Sequence, residues 1–316
     1  MYKNEDSLFN NLKRRFAEAV SRNMADGILF SGGLDSALVA AYAKNSKAVF
    51  VGLESYGEDR YYADKAVKFL KLDHYCRIVT IDEAIAAIPD VIKILESFDP
   101  AIPNDVTAYF GIKCAKDMGI KRMMTGDGSD EIFAGYDFML EIKDLTGYLT
   151  RMHSAMQFSS NKIGKDLGIE IKQPFLDKEF MDFSQKIDLD LKIRKENQKT
   201  LGKWILRKAF EGVLPQEILW QKKRPLETGS GMTKLRKVIE SRVSNEEFEE
   251  GKREFSIRFW NKEHFYYYRV YRQVIGEIPA PGKEEKICKC CGAGIDQNAF
   301  HCKVCGDVIE WKKIRN

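Results

Sequence analysis

The chain predicts an α/β fold: a parallel sheet covered by helices, a mostly helical C-terminal half, and a small zinc ribbon at the C-terminus. Three observations carry this. Short apolar runs alternate with helical stretches through the first 126 residues, the pattern of a parallel sheet covered on both faces. Two glycine-rich turns, at 31–36 and 125–131, each follow one of those runs. Five of the seven cysteines fall in the last 29 residues.

Each element has its own warrant. Leu8, Leu12, Phe16 and Val20 recur every four residues within 7–24 and so share one helical face. GILF (27–30) is a short strand, SGGLDS (31–36) a turn, and ALVAAYAKN (37–45) a helix. AVFVGL (48–53) and CRIVTI (76–81) are the second and third strands, each followed by a helical stretch, at about 61–71 and 82–98. Residues 106–118 form another amphipathic helix, and IKRMMTG (120–126) is the fourth strand. From about 145 to 275 the pattern is mostly helical. GEIPAPGKEEK (276–286) has two prolines, two glycines and mixed charge, and reads as a linker. The expected organisation is therefore a domain over 1–275, a linker over 276–286 and a ribbon over 287–316.

Composition narrows the class. A length of 316 residues suits about two domains, and 44% hydrophobic content is ordinary for a globular chain. The net charge of +4 is too mild to argue for nucleic acid. No window approaches 18 uncharged apolar residues, so no membrane span is expected. The N-terminal run MYKNEDSLFNNLKRRF lacks the apolar core of a secretory leader. With clustered Cys pairs, that points to a reducing cytoplasm.

The sharpest motif is Ser31-Gly32-Gly33-Leu34-Asp35-Ser36, between a strand and a helix. Glycines there let the backbone turn tightly and approach a ligand. Exposed N–H groups and the helix N-terminus then favour a phosphate. Ser31 and Ser36 can add hydroxyl donors. Asp35 would repel a bare phosphate, so it implies Mg²⁺ between carboxylate and phosphates. An ordinary strand–helix turn with polar caps would explain a lone Ser-Gly-Gly, but not the whole string. No Gly-Lys-Ser/Thr follows, so this is not a Walker A loop.

The string resembles the PP-loop of ATP pyrophosphatases, which cleave ATP to AMP and pyrophosphate. A second string, Thr125-Gly126-Asp127-Gly128-Ser129-Asp130-Glu131-Ile132-Phe133-Ala134-Gly135-Tyr136, closely resembles a segment of the asparagine synthetases. The resemblance extends through ESFDP (96–100), QPFLDKEF (173–180), ILRKAFEGVLP (205–215) and KEHFYYYR (262–269), and so covers about residues 7–275. It implies that 1–275 is a PP-loop ATP-binding domain and that Asp35 and Asp130 bind Mg²⁺ with pyrophosphate. It also implies that Leu29, Val51, Leu53, Thr125 and Gly126 hold adenine at the strand ends, while packing as strand core. Lys223 in WQKKRPLETGSG (220–231) matches a lysine that contacts phosphate and stabilises charge during amide formation; Lys222 and Arg224 are its neighbours. Gly229-Ser230-Gly231 is similar to a Gly-Ser-Gly of the β-lactam synthetases, and is expected to shape a loop near the pyrophosphate.

Two departures qualify the resemblance. Asparagine synthetases have Glu where this chain has Asp127, and β-lactam synthetases have Tyr. The position lies near the reacting amine, and Asp is one methylene shorter. A general base displaced by about 1 Å can lose roughly 100-fold in rate. Either the substrate is larger or the base lies elsewhere. The family's glutaminase domain, which needs an N-terminal Cys, is also expected to be absent, since the chain begins Met1-Tyr2. The nitrogen would then come from ammonia, another amine, or a separate glutaminase subunit. The implied reaction is adenylation of a carboxylate, aspartate or an analogue, followed by displacement of AMP by the amine.

The tail carries Cys288-Lys-Cys-Cys291-Gly and Cys302-Lys-Val-Cys305-Gly, two Cys-x-x-Cys-Gly knuckles. Four thiolates in two knuckles suit tetrahedral Zn²⁺, with Cys290 and His301 as neighbouring spare ligands. So short a module buries little core, and the metal would supply its folding energy. The ribbon could bind RNA or a protein, or only cap the fold; seven basic against five acidic residues over 283–316 do not select RNA. Cys76 and Cys114 sit in apolar-periodic segments and read as structural thiols. An alternative reading is a tRNA-thiolating PP-loop enzyme using its ribbon for RNA. It would need sulfur-handling cysteines in the ATP domain, which two scattered thiols support poorly.

Overall fold

The computed structural model describes residues 5–54, 59–196 and 199–308. Its centre is a five-stranded sheet in the order β3-β2-β1-β4-β5, with every neighbouring pair parallel. The strands are β1 (Gly27–Leu29), β2 (Lys47–Leu53), β3 (His74–Val79), β4 (Arg122–Met124) and β5 (Glu170–Lys172). Helices α1 (Glu5–Arg22), α2 (Leu34–Tyr42), α3 (Asp59–Leu70), α4 (Ile81–Leu95) and α5 (Ile102–Asp117) precede β4. After it come α6 (Ser129–Phe133), α7 (Leu145–Ala155) and α8 (Ser159–Leu167). The α/β class expected from the sequence is the observed one, with most element ends displaced by a few residues.

β2 shows why the sheet is covered on both sides. Successive strand side chains point to opposite faces. Ala48 and Phe50 join one apolar cluster with Phe16 and Leu38, while Val49, Val51 and Leu53 join the other with Ile88, Val106 and Phe98. All five are buried, so the strand reads as a continuous apolar run rather than an alternating one. On the first face, Phe16 of α1 packs against Phe175, Phe180 and Phe210 at 4.8, 5.3 and 5.6 Å between ring centres. On the second, α5 lies so close to β1 that a Cβ on Gly111 would collide with the Leu29 side chain.

Two features escaped the sequence reading. β5 is only three residues long and sits within the region read as mostly helical. A two-stranded antiparallel ribbon, Arg194–Glu196 with Lys199–Leu201, lies there too. These three-residue strands are mostly polar, and outside an apolar run so few residues carry no periodicity to detect. Residues 276–285 have no helix or strand. The cysteine-rich module starts with the short strand Lys286–Ile287, paired with Gly294–Ile295. That module is packed against the rest of the chain: its five cysteines belong to the same buried cluster as Phe98, Phe259 and Tyr268. Among the described residues, no helix is long and apolar enough to cross a membrane.

Candidate active site

Ligands of parallel sheets bind beyond the carboxyl ends of the strands, and both glycine-rich turns lie there. After β1 the chain turns through Ser31-Gly32-Gly33 into α2. Gly32 has φ +74°, and a Cβ on it would run into the backbone of Ala63. Gly33 caps α2 without a side-chain hydrogen bond. The serines brace the turn: Ser31 N–H donates to Ser36 Oγ at 3.2 Å, and Gly33 N–H donates to Ser31 Oγ at 3.2 Å. After β4, Gly126 packs where a Cβ would press on Asp35, so the two turns touch.

At that contact sits a buried charge cluster. Lys203 Nζ lies 2.7 Å from both carboxylate oxygens of Asp35 and 2.7 Å from Asp130 Oδ1. Lys223 Nζ lies 2.6 Å from Asp130 Oδ2. Ser129 Oγ donates to Asp35 Oδ1 at 2.7 Å. The Lys203 side chain is only 3% exposed. It reaches the acids because Gly135 and Gly202 leave room: a Cβ on Gly135 would strike Asp130 and Lys203, and one on Gly202 would strike the Ala134 carbonyl. Burial pushes the Asp130 carboxyl up, but Lys203 and Lys223 outweigh it and hold it well below the ordinary carboxylate range. Burial likewise opposes the Lys223 ammonium, yet Asp130 and Asp35 raise it above its usual value. Two convergent carboxylates are the oxygen donors that Mg²⁺ takes, so this donor set fits the cation implied by the motifs.

Asp127 is anchored differently. Its Oδ2 accepts from Ser160 Oγ at 2.6 Å, Thr125 Oγ1 at 2.7 Å and Gln173 Nε2 at 3.0 Å. The shorter side chain is thus held by three donors, from the residue after β4, from α8 and from the segment after β5. Nearby, Glu131 Oε1 accepts from Tyr136 OH at 2.6 Å, while its Oε2 is buried with no hydrogen-bond partner. Burial, with Asp130 close by, pushes the Glu131 carboxyl up to about 7.

These groups open onto a cleft of about 570 Å³, within the range that holds a small-molecule ligand. Of the residues singled out from the sequence, Leu29, Ser31, Asp35, Ser36, Val51, Thr125, Gly126, Asp127, Asp130 and Lys223 line it. Leu53 does not: its side chain is buried in the sheet, and its N–H donates to the Ser230 carbonyl at 2.8 Å. Ser230 thereby ties the Gly229-Ser230-Gly231 loop to the strand end. Gly33 lines a smaller adjoining recess of about 90 Å³ with Asp35, Lys203, Lys222, Lys223 and Arg224. Arg224 is paired with buried Asp59 at 2.9 Å. Lys203, Ser129, Glu131, Tyr136, Ser160 and Gln173 were not singled out from the sequence. Ser129, Glu131, Tyr136 and Gln173 lie inside the quoted strings, and Lys203 stands two residues before the string at 205–215, after a glycine that gives no chemical signal of its own; Ser160 lies far from all of them.

In the tail, the Sγ atoms of Cys288, Cys291, Cys302 and Cys305 lie within 4.8 Å of one another and are all buried. Four converging thiols fit tetrahedral Zn²⁺ in number and type. Cys290 instead directs its thiol to the Arg258 carbonyl at 3.3 Å, and His301 is exposed. Cys76 is exposed and Cys114 buried, and neither lines the cleft.

The family model for asparagine synthase matches residues 11–159 and 144–275. The chain belongs to the asparagine synthase family. A probable glutamine-hydrolyzing asparagine synthetase of Dictyostelium discoideum is 32% identical over 323 residues, covering 89% of this chain and 57% of that protein. The Asparagus officinalis asparagine synthetase is 34% identical over 250 residues, covering 70% and 42%. Asparagine synthetase B of Escherichia coli is 28% identical over 311 residues, covering 88% and 55%. The chain spans about half the length of the curated relatives it matches. Matched family segments run from α1 to the helix Lys262–Val274 and include every group of the charge cluster; the cysteine-rich module lies beyond them.

Proposed function

We propose that the chain is an ATP-dependent, AMP-forming amide ligase that adenylates a carboxylate, aspartate or an analogue, and passes the acyl group to ammonia or another amine. The observation that carries this is the cluster of Asp35, Asp130, Lys203 and Lys223 beside the Ser31–Ser36 turn. Strand ends Leu29, Val51, Thr125 and Gly126 give the adenine an apolar and backbone-lined slot. The turn's N–H groups and the helix α2 N-terminus favour the phosphates. The basic recess next to Gly33 suits departing pyrophosphate. Mg²⁺ held by Asp35 and Asp130 would offset charge on the pyrophosphate. Lys223, as a point cation, stabilises the charge that builds at the α-phosphorus when a carboxylate attacks.

The substrate carboxylate oxygen bonds to the α-phosphorus, and the bond to pyrophosphate breaks. The amine nitrogen then bonds to the acyl carbon, the bond to AMP breaks, and the proton released passes to solvent. Asp127, fixed by Ser160, Thr125 and Gln173, stands on the cleft wall to orient the incoming amine. The thiolating alternative gains no support, because the cleft lining among the described residues has no cysteine. Four thiols in the tail are the ligand set for Zn²⁺, which ties the ribbon together. A cytoplasmic setting belongs to this proposal; a separate glutaminase subunit is one alternative nitrogen source, and RNA is one alternative partner for the ribbon.

The test incubates the zinc-loaded chain with MgATP, aspartate and either ammonium or a primary amine, and measures AMP, pyrophosphate and the amide together. Equal amounts of all three are expected with one of these nitrogen donors. Carboxylate-dependent AMP with other acids but not aspartate would keep the ligase and change its substrate. ADP and phosphate in place of AMP and pyrophosphate would end the proposal.

A further inference from the structure

A second cavity of about 570 Å³ lies between α5, α7 and the cysteine-rich module. It is continuous with the nucleotide cleft: Glu131, Tyr136, Phe138, Phe158 and Ser159 line both. Its far wall is the ribbon itself, through Phe300, His301 and Lys303. The ribbon is held in place there. Phe98 N–H donates to the Val304 carbonyl at 2.7 Å, and Arg151 donates to the Asn298 and Ala299 carbonyls at 3.1 Å each. The Arg151 guanidinium also sits 4.2 Å over the Phe300 ring.

We propose that this cavity is the nitrogen-donor site, and that its occupant is an organic primary amine with an apolar or aromatic body rather than free ammonia. The inference rests on the amide-forming reading above and names its second substrate. Ammonia is about the size of a water molecule and needs no chamber of this volume, which instead falls in the range of small-molecule sites. The walls offer Tyr148, Met152, Phe158 and Phe300, surfaces that suit a hydrocarbon body and the positive charge it carries.

The acids lie where the two cavities meet. Asp105, on α5, is 7% exposed; its chain neighbours Asn104 and Thr107 face the nucleotide cleft. Glu131 contributes a buried oxygen with no hydrogen-bond partner. Such an acceptor costs free energy until a donor satisfies it, and an ammonium brings three donors. Burial, with Asp99 and Glu227 nearby, pushes the Asp105 carboxyl up to about 7, against a hydrogen bond from Ser159. A cation beside Asp105 would offset that cost. The same acids repel a carboxylate, so the acyl substrate is not the better occupant. Lys162, which also lines the cavity, is exposed and donates to the Leu95 carbonyl at 3.0 Å.

Calorimetry on the full zinc-loaded chain tests this, with phenethylamine, tyramine and hexylamine as probes. Ammonium chloride, 2-phenylethanol and 3-phenylpropionate are the controls. At least one amine should bind on the order of tenfold more tightly than the neutral alcohol and the carboxylate. Phe300→Ala should weaken it about fivefold while zinc content and carboxylate-dependent ATP–pyrophosphate exchange persist. Met152→Ala, outside the ribbon, gives the same reading if Phe300→Ala loses zinc. Asp105→Asn should abolish the preference for amine over alcohol. Absence of amine binding, equal binding of the alcohol, or indifference to all three substitutions overturns the inference. Pyrophosphate exchange needs no amine. Its absence would end the ligase reading itself, whereas exchange without amine binding defeats this inference alone.

Discussion

Lys203 is the residue on which the charge cluster turns. Its ammonium is shared by Asp35 and Asp130, two acids from different strand ends. Breaking a buried pair by removing one partner costs about 3–5 kcal/mol, because the other charge is left uncompensated. Lys203→Met should therefore destabilise the chain by about that amount at pH 7 in urea denaturation. The sign with pH follows from Asp130, whose carboxyl is depressed in the folded state by Lys203 and Lys223. A depressed acid contributes stability that is present above its unfolded value, about 4, and lost as pH falls through its folded value. The deficit of Lys203→Met should be full at neutral pH and shrink below pH 4. A deficit under about 1 kcal/mol, or one that grows in acid, would remove Lys203 from this role.

At this scale the acids were legible and the cation was not. Asp35 and Asp130 stood inside strings whose every residue had a local reason. Lys203 stands beside a glycine in a short segment, and only the packing of Gly135 against Gly202 reveals its place. Leu53 failed in the opposite way: a strand-end position read as a ligand wall is buried in the apolar cluster and bonded to the Ser230 loop, while Val51, two residues back on the same face, lines the cleft.

Among elements, the strand–turn–helix unit of β1 and α2 was the most legible, because apolar strand, glycines and helix are contiguous. Its tightness is a matter of space as well as conformation. Gly32 has a positive φ, and a Cβ would meet the backbone at the start of α3. Gly32→Ala should therefore weaken MgATP binding by at least about tenfold, since a non-glycine residue is strained at this φ and the turn must open. Equilibrium binding of a fluorescent ATP analogue checks it, and unchanged affinity would show that the turn does not contact phosphate. β5 and the antiparallel pair Arg194–Glu196 with Lys199–Leu201 were invisible for the reason that hid Lys203: they are short and mostly polar, and long-range pairing rather than local pattern makes them.

For the whole molecule, ligand spacing in the tail was legible but its docking was not. Cys-x-x-Cys-Gly knuckles point to four converging thiols, yet nothing in them says that the module will cover Phe98 and close a cavity beside the nucleotide cleft. The structure joins them through one buried cluster that holds the five tail cysteines with Phe98, Phe259 and Tyr268. Phe98 stacks on His264 at 5.2 Å, His264 on Trp260 at 4.4 Å, and Phe98 meets Tyr268 and Tyr271 at 5.3 Å each. Because binding free energy of a structural metal is folding free energy, extracting it with a chelator should lower the melting temperature of the whole chain. Calorimetric scans before and after chelation, followed by zinc addition, decide between this and an independent tail. An unchanged main transition would make the ribbon a separate appendage.

The claim that joins all three scales is that a carboxylate attacks the α-phosphorus of ATP at the Asp35–Asp130–Lys203–Lys223 cluster. Its most direct measurement follows the oxygen. Aspartate, or whichever carboxylate supports pyrophosphate exchange, is supplied with ¹⁸O in its carboxyl groups together with MgATP and an amine, and the nucleotide product is analysed by mass spectrometry. One ¹⁸O carried into AMP is the predicted result, since the acyl–adenylate bond keeps the carboxylate oxygen on phosphorus when the amide forms. Label in inorganic phosphate, with ADP as the nucleotide, or AMP free of label would contradict it.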